Sequence, residues 1–105
     1  MPQYLYKLGV TRPAMLTEGP TEGEATLISA HFERLKTLTE QGVVILAGRT
    51  QTTDPDGMGI VIFNAADDDS ARAIMETDPA VAGGVMHATL FPYRVALISE
   101  ANAME

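Results

Sequence analysis

Hydrophobic and polar positions change period several times along the chain, and each change marks an element. QYLYKLGV (3–10) alternates, with Tyr4, Tyr6, Leu8 and Val10 on one side and Leu5, Lys7 and Gly9 on the other. That two-residue period predicts a strand. TRPAMLTEGP (11–20) holds two prolines and a glycine and reads as a loop. In TEGE (21–24), Thr21 is placed as N-cap and Glu24 as the residue that reaches back to its amide, a capping box. The helix it opens should run to about Gln41, with Gly42 ready for a left-handed C′ position. Along that helix Ile28, His31, Phe32, Leu35 and Leu38 fall in one arc, expected to face a core.

The second half is built from shorter runs. VVILAG (43–48) is continuously apolar and β-branched, a strand; RTQTTDPDG (49–57) is a turn segment; MGIVIFN (58–64) is another strand. ADDDSARAIMET (66–77) begins with acids that suit a helix N-terminus and continues with Ala71, Ile74 and Met75 at helical spacing. DPAVAGG (78–84) is a short punctuated turn. VMHATLFPYRVALI (85–98) closes as a long strand whose Pro92 predicts an edge position or a bulge.

The order βαββαβ is that of the ferredoxin-like α+β sandwich, a four-stranded antiparallel sheet with two helices on one face. Residues 1–98 form one domain, and 99–105 are a C-terminal tail. Two helices cover only one face of such a sheet. Yet the second strand is apolar on both sides, and in the third Met58, Ile60 and Ile62 alternate against Val61 and Phe63. A solvated outer face should be polar. A second copy of the chain is therefore expected on it, giving a homodimer joined sheet to sheet, the dimeric α+β barrel arrangement.

Composition removes several functions. There is no cysteine, so thiolate nucleophiles, disulfides and cysteine metal sites are excluded. Fourteen acids against seven bases give a net charge of -7, and the bases are scattered, which argues against nucleic acid as a partner. The N-terminus lacks a secretory pattern and no apolar run is long enough to span a bilayer, so the chain reads as soluble, cytoplasmic and free of membrane. No nucleotide-binding loop, zinc-type histidine spacing or serine–histidine pattern appears, so no cofactor and no metal is expected.

The candidate chemistry is a histidine in an apolar arc. His31 reads either as a core-edge residue bonded to a backbone carbonyl or as a titratable group held in a cleft and able to move protons. Among the acids, Asp67, Asp68 and Asp69 form a helix-start cluster, and Glu18, Glu22, Glu24, Glu33 and Glu40 read as surface. Asp78 stands apart because Pro79 holds it extended. It reads as the N-cap, with Pro79 at N1, of a single helical turn closed by Gly83 and Gly84, as a partner for an imidazole, or as both. His87 reads as structural or interfacial.

YLYKLGVTRP, AHFERLKTLTEQGVVILAG, DGMGIVIF and METDPAVAGGVMHATLFPYRVAL together resemble the YCII-related domain family, from about Tyr4 to Leu97. The resemblance implies a homodimeric ferredoxin-like fold with a histidine/aspartate pair in a pocket, an acid–base dyad that falls here on His31 and Asp78. It also implies kinship with muconolactone isomerase-like folds, one branch of the family removing chloride from a chlorinated hydroxyhydroquinone. Many relatives have proline after the AG strand end where this chain has Arg49, which either clamps an anionic substrate or is a surface arginine. The enzymatic reading places a small polar or aromatic metabolite in a pocket walled by Tyr4, Tyr6 and Phe32, for isomerisation or elimination. The alternatives are a non-catalytic ligand-binding module and a purely structural dimer.

Overall fold

The computed structural model describes residues 1–99 and 101, with β1 (Gln3–Val10), α1 (Ala14–Glu18), α2 (Glu22–Glu40), β2 (Val44–Arg49), β3 (Gly59–Asn64), α3 (Asp68–Glu76), α4 (Pro79–Ala82) and β4 (Met86–Tyr93). The strands form one antiparallel sheet in the order β2-β3-β1-β4. This is the α+β, ferredoxin-like arrangement expected from the sequence. Alternation decides which side each strand residue takes. Tyr4, Tyr6 and Leu8 of β1 and Val61 and Phe63 of β3 are buried on the helix-bearing face. The rings of Tyr4 and Tyr6 meet Phe63 at 6.0 and 5.6 Å between centroids, tilted rather than stacked. Each such fully buried large side chain contributes roughly 1.5–3 kcal/mol.

Among the described residues, none of α1–α4 packs on the opposite face. Register places Leu46, Ile62, Leu5 and Phe91 in one row across all four strands, an unbroken apolar band. A bulge between Val44 and Leu46 sets this row, because it turns Leu46 to the open side. Leu46 and Phe91 are 51% and 44% exposed, so the band is uncovered in the single chain. The next row toward the β2–β3 loop is Gly48, Ile60, Lys7 and Thr89, and beyond it Gly9 faces His87.

Two elements differ from expectation. The segment 11–20 contains α1, a five-residue helix entered at Pro13 with φ -55° and ended at Gly19. Proline arrives with a helical φ, and five residues are too few to show a period. The single helical turn opened by Asp78 and Pro79 forms as α4 (Pro79–Ala82), with Gly83 as its C-cap. β4 stops at Tyr93 instead of reaching 98, because its last partner, Gln3, is the first residue of β1 and no ladder remains to continue. Pro92 sits on this edge strand, as its missing N–H requires. Of the expected tail 99–105, all but Ser99 and Ala101 lie outside the described residues. Among the described residues, no helix is long and apolar enough to cross a membrane.

Glu24 is more than a surface acid. The capping box forms as expected, with Thr21 Oγ1 accepting from the Glu24 amide at 3.2 Å and Glu24 Oε1 accepting from the Thr21 amide at 2.8 Å. Arg12 also donates to both Glu24 oxygens, at 3.0 and 2.7 Å, and to the Gly19 carbonyl at 3.2 Å. The Arg12 hydrogen bond first, then the Thr21 amide, hold the Glu24 carboxyl down from 4.5 to about 2. A carboxyl lowered on folding stabilises the fold above its unfolded value and loses that contribution as pH falls through the folded value. Melting curves of wild type and Glu24→Gln should therefore differ by a constant amount above about pH 5 and converge as pH falls toward 2.

Candidate functional site

The side chains of α2 that turn inward are centred on His31. Leu27, Ile28, Arg34, Leu35 and Leu38 flank it and are buried or half-buried. Phe32, next in sequence, is rotated about 100° from that centre. It is 63% exposed, which removes it from the pocket wall expected for it. The helix is held close to α4 by a small residue: a Cβ on Gly83 would lie 2.5 Å from Leu27 Cδ1 and 2.9 Å from the Pro79 carbonyl. Leu27 is one turn before His31 on the same face, so this close approach brings the imidazole down onto the start of α4.

Asp78 is waiting there. Extended geometry (φ -60°, ψ 125°), favoured by the following proline, makes it the N-cap of α4, and its Oδ1 accepts the Ala80 amide at 3.0 Å. The same carboxylate is fully buried, and it accepts the Tyr6 hydroxyl on Oδ2 at 2.6 Å. His31 Nδ1 lies 2.7 Å from Oδ1 and 2.8 Å from Oδ2. Capping and pairing thus coexist in one residue. Arg34, one turn beyond His31, ties α2 to the end of α3 through the Ile74 carbonyl at 2.9 Å and Thr77 Oγ1 at 2.7 Å. Thr77 is the residue immediately before Asp78, so this bond fixes the backbone that presents the carboxylate.

Burial pushes the Asp78 carboxyl up, but hydrogen bonds from His31 and Tyr6, with the Ala80 amide, outweigh it and hold it below the usual carboxylate range. Burial, then the bond to Asp78, raises the Tyr6 phenol, which keeps it protonated as a donor. An ionised carboxylate only accepts, so His31 Nδ1 must carry a proton. In the neutral ring the lone pair is then on Nε2. That atom has no hydrogen-bond partner among the described residues and is not sealed from solvent. The arrangement leaves one imidazole nitrogen facing outward and holds its orienting carboxylate inside.

Of the six residues nominated from sequence, the fold brings His31, Asp78 and Tyr6 together. Tyr6 is a buried donor to Asp78 and not an open pocket wall. Tyr4 is likewise buried, its hydroxyl donating at 2.8 Å to Oδ1 of Asp68, an exposed residue at the start of α3. Arg49 is exposed at the end of β2 opposite Gly59, two strands or roughly 10 Å across the sheet from β1. Two cavities, of about 440 and 220 Å³, lie elsewhere, and His31 lines neither. Two roles are not visible in the sequence: Gly83, expected to close a turn, also admits Leu27 against α4, and Arg34, three residues from His31, ties α2 to Thr77.

Asp78→Ala removes a cap and leaves the Tyr6 hydroxyl and the His31 N–H unpaired, and should cost roughly 2–4 kcal/mol in chemical denaturation. Tyr6→Phe should cost about 1.5–3 kcal/mol, the range for one hydrogen bond to a charged group. In ¹⁵N NMR of the neutral imidazole, the His31 proton should sit on Nδ1 in wild type and move toward Nε2 in Asp78→Asn. A proton found on Nε2 of the wild type would refute the geometry's reading.

A family model described as the YCII-related domain matches residues 7–93. No curated protein matches the sequence. Among solved structures, one similar fold is the 5-chloro-2-hydroxyhydroquinone dehydrochlorinase TftG from Burkholderia phenoliruptrix AC1100, in complex with 2,5-dihydroxybenzoquinone. It aligns at TM-score 0.64 and 17% identity over 88% of this chain and 93% of that one. Another is SnoaB, a cofactor-independent oxygenase from Streptomyces nogalater, at TM-score 0.38 and 15% identity over 92% and 96%. At these identities the likeness to the dehydrochlorinase concerns the fold.

Proposed function

The chain belongs to the YCII-related domain family, and from that premise we propose that it binds a small oxygenated, ring-type metabolite at His31 and acts on it by acid–base chemistry. The observation that carries this reading is the Nε2 of His31, without a hydrogen-bond partner among the described residues, opposite an Nδ1 held on both oxygens of Asp78. His31 Nε2 accepts the proton of an acidic hydroxyl. The electron pair left on oxygen forms a carbonyl, and the imidazolium returns its proton to a ring carbon, a keto–enol shift. Where that carbon bears a leaving group, His31 then takes the proton of a second hydroxyl, whose electron pair shifts through the ring and expels the leaving group as its anion. The resulting imidazolium is stabilised by the carboxylate at Nδ1, and Tyr6 keeps that carboxylate from turning away. Asp78 acts through His31 and Tyr6 acts through Asp78, so both are positioning residues. The dehydrochlorinase of similar fold, in complex with a dihydroxybenzoquinone, supports this ligand class for the proposal.

A second reading, a structural dyad without turnover, is favoured by the complete burial of Asp78 and by the absence of His31 from both cavities. One experiment separates the two. With 2,5-dihydroxybenzoquinone as probe, wild type should show saturable thermal stabilisation, lost in His31→Gln. With 5-chloro-2-hydroxyhydroquinone, chloride release should fall roughly 10²–10⁴-fold in that variant. Loss of stability in His31→Gln with unchanged probe binding would leave only the structural reading.

The proposal includes a second copy of the chain on the helix-free face, giving a homodimer. The apolar row Leu5, Leu46, Ile62 and Phe91 supports it, since monomers rarely leave such a band to water. Sedimentation should give a dimer for wild type and a folded monomer for Ile62→Asp.

A further inference from the structure

Beyond the apolar row, the helix-free face ends in a polar corner that the His31 chemistry does not use. Lys7 pairs with Thr89 and Gly9 with His87 across β1 and β4, so three donor side chains share one face in adjacent rows. The β2–β3 loop leans over them: Pro55, Asp56 and Gly57, with Lys7, His87 and Thr89, line a cavity of about 220 Å³. His87 is not a freely swinging side chain there. A Cβ at Gly9 would lie 2.8 Å from its Nε2 and closer still to Cε1, so the ring lies directly against the glycine backbone. Any larger residue at position 9 would displace it.

None of the Lys7, His87 and Thr89 side chains has a hydrogen-bond partner among the described residues, and Asp56 forms no ion pair with Lys7. The corner therefore concentrates an ammonium, an imidazole N–H and a hydroxyl, all unspent, with one carboxylate on the facing wall. In a chain of net charge -7 that is an unusual local field. Donors around a cation recognise a carboxylate, while a facing carboxylate accepts from a ligand hydroxyl and repels a second anion. The volume lies below the usual range of roughly 300–1,000 Å³ for drug-sized ligands, which restricts the occupant to a few heavy atoms.

We propose that this corner is a binding site for a small hydroxycarboxylate, its carboxylate held by Lys7, His87 and Thr89 and its hydroxyl donating to Asp56. The site is separate from His31 and does not depend on the reading of that residue. The chain has only two histidines, so imidazole ¹H–¹³C spectra report both sites at once. Glycolate is the probe, with acetate and ethylene glycol as its two halves. Glycolate should shift the His87 signals saturably in the millimolar range while the His31 signals stay still. Acetate should bind more weakly and ethylene glycol not at all. Lys7→Ala, at an exposed position that leaves the fold intact, should weaken glycolate about tenfold, the effect of losing one charge-assisted hydrogen bond. Asp56→Asn should abolish the preference for glycolate over acetate. No saturable shift at His87, an undiminished response in Lys7→Ala, or equal affinity of wild type for glycolate and acetate would each overturn the assignment.

Discussion

A single buried carboxylate organises the helix-bearing half of this protein. Moving an ion such as the Asp78 carboxylate out of water costs several kcal/mol, and the cost is offset only if its lone pairs are taken up by well-placed donors. Here the donors come from three elements: Tyr6 on central strand β1, His31 on α2 and the Ala80 amide at the start of α4. None can shift far without stranding the charge. The position of α2 over the sheet, and with it the direction of the free imidazole nitrogen, is thus set by electrostatics as much as by apolar contact. Gly83 and Arg34 serve the same end. One permits the close approach of α2 to α4, and the other secures the residue ahead of the carboxylate.

The sheet itself divides the chemistry between two environments. On the helix side, Tyr4, Tyr6, Val61 and Phe63 make a dry core, with the Tyr6 hydroxyl paired inside it to Asp78 and the Tyr4 hydroxyl at its margin to Asp68. On the other side, an apolar band and a polar corner lie exposed next to one another. The bulge in β2 has a large effect for one residue. Without it Leu46 would face the helix side opposite Val61, and Ile45 would stand in its place opposite Ile62.

Most of the fold was legible because its elements announce themselves by period or by cap. The capping box at Thr21, the left-handed Gly42 at φ 78° and the alternation of β1 and β3 all follow directly from residue chemistry. What the sequence concealed depends on neighbours. The end of β4 is set by where β1 begins, and α1 is too short to carry a period. The site shows the same split. Asp78 was recognisable from Pro79 and from the turn it opens, and His31 from its place in an apolar arc. Phe32 fell in the same arc on paper, yet the arc is centred on His31 itself, and one residue at about 100° is enough to leave it in water. Tyr6 was nominated as a wall and serves as a donor, because alternation predicts burial but not which group meets a hydroxyl.

β1 links the two halves of this picture. Consecutive residues of a strand point to opposite faces. Tyr6 therefore reaches inward to Asp78 while Lys7, its neighbour, stands on the open face beside Thr89. Tyr6 cannot be exchanged for an apolar residue without leaving a charged group short of a donor. Lys7 is under no such structural constraint, since in the single chain it is exposed and has no ion-pair partner among the described residues. A positive charge kept at that point, on a strongly acidic chain and facing an imidazole held against a glycine, contributes little to holding the fold together. Recognition of an anion gives its placement a physical purpose that packing does not.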